Sequence, residues 1–143
     1  MHVAPILNAK GRAVETARPD TMLMEIARTL AAKRIGAIVI TDAQGVVGIV
    51  SERDIVRVIG TDGVAVLERP VSEVMTQSVV TCREQDTIDR LMGLMTVRRF
   101  RHLPVVEGGA LVGIISIGDV VKHRVAEVEL EATAMRDYIT ASG

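Results

Sequence analysis

Apolar positions along the chain follow two rhythms, and the same succession of rhythms occurs twice. Leu23, Ile26, Ala27 and Leu30 fall at i, i+3, i+4 and i+7, the single apolar face of an amphipathic helix. Pro19 precedes Asp20 and Thr21, either of which can cap that helix, and Gly36 follows the basic pair Lys33-Arg34 to end it. Ala37-Ile38-Val39-Ile40 is unbroken apolar sequence, the signature of a buried strand. Asp42-Ala43-Gln44-Gly45 turns the chain, and Val46 to Val50 returns as the second strand of a hairpin. Ser51 then opens a helix carrying Ile55, Val56 and Ile59, which Gly60 stops, while Ala13-Val14 supplies a short strand before the whole unit.

The second unit restates this order. Val79-Val80-Thr81 is its opening strand, Asp86-Thr87 its cap, and Ile88, Leu91, Met92 and Met95 each stand 65 residues (88 − 23) after their counterparts. Leu103 to Val106 forms a strand, Glu107-Gly108-Gly109 a turn, Leu111 to Ile115 the return strand, and Ser116 starts the last helix. Pro104 belongs near the start of its strand or on an edge. A β-α-β-β-α unit of about 50 residues buries too little surface to stand alone. The expected fold is therefore α/β (α+β), with the two units stacked sheet to sheet in a pseudo-twofold module. Ile6 to Gly11 and Val71 to Thr76 are matching lead-ins, and Val120 to Tyr138, with Val121, Val125, Val128 and Met135 among dense charges, is a long, partly exposed helix.

Composition narrows what such a module can do. The 143 residues are 48% hydrophobic and 24% charged, with a net charge of −1, so a core is available and a global basic field is not. One Phe (Phe100), one Tyr (Tyr138) and no Trp leave no stacking platform for single-stranded nucleic acid. The lone Cys82 excludes an internal disulfide and, without a paired His and acid, offers no nucleophile. His2, His102 and His123 lack ligand spacing, so no metal site is expected. With no signal-like N-terminus and no apolar run of about 18 residues, the expectation is a cytoplasmic protein without membrane contact.

The repeat is most literal at Gly48-Ile49-Val50-Ser51-Glu52-Arg53-Asp54 and Gly113-Ile114-Ile115-Ser116-Ile117-Gly118-Asp119. Ser-x-x-Asp after a strand has two readings that coexist. It caps a helix, and it places a hydroxyl and a carboxylate where helix amides collect anions. The preceding glycine, weak in a strand unless backbone or ligand approaches closely, favours the second. Arg53, replaced by Gly118 in the other copy, is either a phosphate contact or a solvated first-turn residue. Arg98, Arg99, Arg101 and His102, with Lys33 and Arg34 at the equivalent place, are either a polyphosphate cleft or solvated helix ends.

In element order, in the duplicated Gly-aliphatic-aliphatic-Ser-x-x-Asp, in Val74-Met75-Thr76 and in Leu103-Pro104-Val105-Val106, the chain resembles a tandem pair of CBS domains, a Bateman module. The resemblance runs from about residue 5 to 125 and is closest to small stand-alone bacterial pairs. It implies a first domain over 5–62, a second over 71–125, and a C-terminal helical tail over 126–143. It further implies a non-enzymatic sensor that binds AMP, ADP, ATP, NAD(H) or S-adenosylmethionine between the units, with no catalytic cofactor, and alters a client protein. Asp54 and Asp119 match the ribose carboxylates, while Ser51 and Ser116, with Arg53, match the phosphate contacts. Adenine would rest along Thr16, Val80, Thr81, Cys82, Ala37, Ile38, Arg101, His102, Leu103 and Ile117, with Lys33, Arg34, Arg98 and Arg99 reaching further phosphates. A homodimer, two modules in a flat disc, is implied as well. The alternative is a dimerisation or interaction scaffold with empty clefts.

Overall fold

The computed structural model describes residues 1–142. Its elements are α1 (Val3–Lys10), β1 (Thr16–Ala17), α2 (Leu23–Lys33), β2 (Ala37–Asp42), β3 (Gly45–Ser51), α3 (Glu52–Asp62), α4 (Ile88–Arg98), β4 (His102–Glu107), β5 (Ala110–Ser116) and α5 (Ile117–Ser142). Short 3-10 turns at Val64–Glu68 and Val71–Glu73 join the halves. The first sheet runs β1-β2-β3 and the second is the β4-β5 hairpin. Both hairpins keep one register, Ala37 opposite Ser51 and His102 opposite Ser116, and both slip at the same place, after Ile40 and after Val105.

The apolar patterns fill two cores. Leu23, Ile26, Leu30, Ile38, Ile40, Val50 and Ile55 make the first, and Ile88, Leu91, Met95, Leu103, Val105 and Ile115 the second. The two sheets meet where β3 lies against β5. Several local expectations give way to tertiary contacts. The first opening strand is Thr16–Ala17 rather than Ala13-Val14, because Thr16 pairs with Val39 and Ala17 with Ile40. The second copy has no opening strand; only Cys82 bridges to Val105. Met22, not Asp20 or Thr21, occupies the N-cap of α2, and its backbone bridges to Pro70. Arg34 in the left-handed conformation (φ 54°) ends α2, ahead of Gly36. Gly60 stays inside α3, which runs to Asp62, and Val56 points to solvent rather than the core.

The lead-ins are exchanged. Val3, Ile6 and Leu7 of α1 are buried in the core of the second unit, while Val71, Val74 and Met75 pack on the core of the first. Matching backbone bonds hold the exchange. The amides of Val3 and Ala4 donate to the carbonyls of Asp86 and Glu84, and those of Val71 and Ser72 donate to Thr21 and Pro19. Gly48 and Gly113 exist for this packing. A Cβ on Gly113 would stand 2.7 Å from Leu7 Cδ2, and one on Gly48 would strike Met75. The glycine of the repeated motif thus accommodates a side chain of the protein itself, not a ligand as the sequence argument held.

Candidate functional site

Ser51 ends β3 and caps α3. Its Oγ accepts from the Asp54 amide at 3.3 Å, and Asp54 Oδ2 accepts from the Ser51 amide at 2.9 Å and from its hydroxyl at 3.0 Å. Ser116 and Asp119 repeat the reciprocal pair at 3.1 and 2.9 Å. The capping box is therefore complete in both copies. It also fixes each carboxylate at a helix N-terminus, where positive dipole ends converge.

Because the units are pseudo-symmetric, each cap faces the loop that ends the other unit's first helix. Ser51, Arg53 and Asp54 line a cavity of about 390 Å³ together with Arg98, Arg99, Phe100, Arg101 and His102. Arg57, which nothing in the sequence singles out, lines it too, with Ile49 and Thr76. Ser116 lines a second cavity of about 560 Å³ with Lys33, Arg34, Ala37 and His102. Both volumes lie within the roughly 300–1,000 Å³ of small-molecule sites. Arg34 and Arg99 (φ 54° and 58°) hold the left-handed conformation at equivalent points of the two walls. A non-glycine residue there costs on the order of 1–3 kcal/mol, and such strain collects at ligand sites.

The two cavities differ in charge. Asp54 Oδ1 accepts from exposed Arg57 at 2.8 Å. Among the described residues, Arg53, Arg98, Arg99 and Arg101 have no acidic partner, so the first cavity carries a surplus of guanidinium. In the second, Lys33 is tied to Glu15 at 2.7 Å, and Lys10 Nζ reaches Asp119 Oδ2 at 2.6 Å and the Ile114 carbonyl at 2.9 Å. Burial alone would raise the Asp119 carboxyl. The bonds from Lys10 and from the Ser116 amide outweigh it and hold the group below its ordinary value. Asp119 itself borders a separate hollow between α1 and α5, beside Lys122 and His123. Nothing in the sequence pairs Lys10 with a carboxylate 109 positions away.

His102 is the wall common to both cavities. Its Nε2 would sit 3.1 Å from a Cβ on Gly36, so the ring packs closely on the bare backbone of the first unit. Burial, then Lys10, lowers its pKa from 6.5, with Arg101 adding to this and Glu52 and Asp119 opposing it.

The expected adenine contacts are scattered. Ala37, Arg101 and His102 line the cavities, and Ile117 joins Arg53, Arg99 and Arg101 around a smaller hollow. The side chains of Ile38, Cys82 and Leu103 belong to the cores, and none of the three lines either cavity. The Cys82 thiol is pushed up to about 12 by burial and by nearby Asp86, which removes it from thiolate chemistry. Thr16, Val80 and Thr81 line neither cavity: Thr16 is tied into β1, Val80 packs on the second core, and Thr81 faces solvent. Among the described residues no helix is long and apolar enough to cross a membrane, and no acidic, His or Cys cluster suits a metal.

The family model of the CBS domain matches residues 10–61 and again 71–126. The CBS-domain containing protein ATU1752 from Agrobacterium tumefaciens is 52% identical, with a TM-score of 0.83 over 87% of this chain and 99% of that one. The CBS domain protein PAE2072 from Pyrobaculum aerophilum, solved complexed with AMP, is 28% identical, with a TM-score of 0.78 over 92% and 99%. The CBS domain pair of protein MJ0100, solved with 5'-methylthioadenosine and S-adenosyl-L-methionine, is 25% identical, with a TM-score of 0.79 over 89% and 98%. Among curated relatives, the chain spans 71% of the length of the first and 21% of two longer ones. Duplicated sequence, exchanged lead-ins and paired clefts thus have one explanation: the chain belongs to the CBS-domain family and carries two CBS domains.

Proposed function

We propose that the chain is a non-catalytic regulatory sensor that binds an adenosine-containing nucleotide between its two CBS units. The observation that carries this reading is the first cavity, where the Ser51–Asp54 cap faces unpaired arginines of the other unit. A carboxylate accepts from both hydroxyls of a vicinal diol, so Asp54 holds the ribose by exchanging Arg57 for it. Arg53, Arg98, Arg99 and Arg101, with the Ser51 hydroxyl, meet the phosphates. The AMP complex and the S-adenosylmethionine complex among the structural relatives support the adenosine class. The guanidinium surplus favours anionic members, AMP, ADP, ATP or NAD(H), over the cationic sulfonium. The second cavity fills less readily, because Asp119, the ribose carboxylate of that copy, is held by Lys10 and does not line it. A ligand touching both units biases their mutual orientation, and through it a client protein, to the extent that it prefers one orientation. The working form is a homodimer.

Titration calorimetry with AMP, ATP, NADH and S-adenosylmethionine tests this. The anionic ligands are expected to bind with a salt-sensitive affinity, and Asp54→Ala to lose at least tenfold. The fold survives that change, since the N-cap itself, Ser51 accepting from the amide of residue 54, stays in place. No heat from any of the four, with Asp54→Ala melting and behaving like the parent, overturns the proposal in favour of a scaffold with empty clefts.

A further inference from the structure

The C-terminal part of α5 carries an exposed apolar stripe. Val120, His123 and Glu127 turn towards the body of the molecule, and from Val128 to Ala141 every residue is exposed. Val121, Val125, Val128, Ala132, Met135 and Ile139 succeed one another at spacings of 4, 3, 4, 3 and 4, the a/d rhythm of a coiled coil. All six are exposed, the five larger ones by 50% to 64%. The stripe lies on a different face from Val120, the residue that anchors the helix to the body. The helix is also nucleated before any partner arrives, because the Ser116–Asp119 cap and buried Val120 anchor its first turn.

The flanking charges identify the occupant. With Val125, Ala132 and Ile139 at a and Val121, Val128 and Met135 at d, the g positions are Arg124, Glu131 and Tyr138 and the e positions are Lys122, Glu129 and Arg136. In a parallel pair each g residue meets the e residue of the next heptad on the other helix. Two copies of this chain then bring Arg124 to Glu129 of the second copy and Glu131 to Arg136 of the second copy, and each pair occurs twice. An antiparallel overlap of the same stripe sets Glu129 on Glu129, Glu131 on Glu131 and Lys122 on Arg136, all like charges. Among the described residues neither Glu131 nor Arg136 has an ion-pair partner, whereas Arg124 is held to Asp89 and Glu127 at 3.4 and 3.2 Å.

We infer that residues 121–139 of α5 form a parallel, in-register two-stranded coiled coil with α5 of a second copy of this chain. Nucleotide binding plays no part in the argument, so this interface stands or falls separately from the proposed function. It also differs from a disc built through the faces of the units.

The test uses the full chain, whose own Cys82 is buried and supplies the background. Ala132→Cys places a thiol on the seam opposite its own counterpart, while Leu130→Cys places one on the outer face. Under oxidised glutathione, Ala132→Cys is expected to give a covalent dimer on non-reducing gels and Leu130→Cys and the parent are not. In sedimentation equilibrium, Glu131→Arg is expected to weaken self-association at least tenfold, and adding Arg136→Glu in the same chain to restore it. Equal cross-linking at 130 and 132, a monomeric parent, or a dimer indifferent to Glu131→Arg overturns the inference. The last result would assign self-association to another face or leave the stripe to a different protein.

Discussion

At the residue scale, the two caps are alike in geometry and opposite in availability. Asp54 is held by an arginine that is itself mostly in solvent, whereas Asp119 is held by a lysine with a second anchor on the Ile114 carbonyl. An exposed ion pair contributes little and exchanges easily, while a doubly anchored one must be broken at two points. Lys10→Ala is therefore expected to raise the Asp119 pKa towards the ordinary carboxylate range, read by carbon NMR titration, and to strengthen nucleotide binding at the second cavity at least tenfold. The sign follows from linkage. Asp119 is depressed in the folded chain, so its contribution to stability is present above 3.8, is lost as the pH falls through the folded value, and shrinks in the variant. Unchanged titration would show that the Ser116 amide alone holds the group.

At the scale of elements, the exchanged lead-ins decide which glycines matter and why. Gly113 lies under Leu7, a branched side chain that is fully buried in α1, and Gly48 lies under Met75, an unbranched thioether that is only partly buried. Overpacking costs on the order of 1–3 kcal/mol where the neighbour cannot yield, and methionine yields more readily than leucine. Gly113→Ala is thus expected to destabilise the chain more than Gly48→Ala in urea melts, although the added Cβ stands nearer to its obstacle at Gly48. The reverse order would mean that α1 shifts more freely than its burial implies. The same exchange explains where element boundaries departed from the apolar pattern. Met22 caps α2 without a side-chain bond because the backbone on either side of it is held from a distance, the Leu23 amide donating to the Arg69 carbonyl and the Val71 amide to the Thr21 carbonyl. The second copy dispenses with an opening strand, since a single bridge at Cys82 closes its core.

On the scale of the whole molecule, His102 joins the halves. A depressed imidazole pKa means the unfolded chain takes up its proton first as the pH falls, so stability is complete above 6.5 and declines as the pH drops through 6.5 towards the folded value. The melting temperature is expected to fall over that window, and the fall to flatten in His102→Gln; an equal fall in the variant would place the titration elsewhere. What is legible along the chain is local and periodic. The 65-residue repeat, the apolar faces of α2 and α4, both hairpins and the Ser-x-x-Asp caps all follow from spacing within a single element, where backbone geometry alone relates neighbours. Even the charge pattern along α5 is readable this way, because helical geometry alone dictates which side chains share a face. The tertiary structure decided everything that depends on chain segments far apart meeting. It exchanged the lead-ins, turned the motif glycines into packing notches, removed Cys82, Ile38 and Leu103 from the clefts as side chains, and set Lys10 on Asp119 and His102 between the units. The physical reason is that periodicity records which face of an element is buried but not against what. That choice is made by complementary shape and charge only when the whole chain has closed.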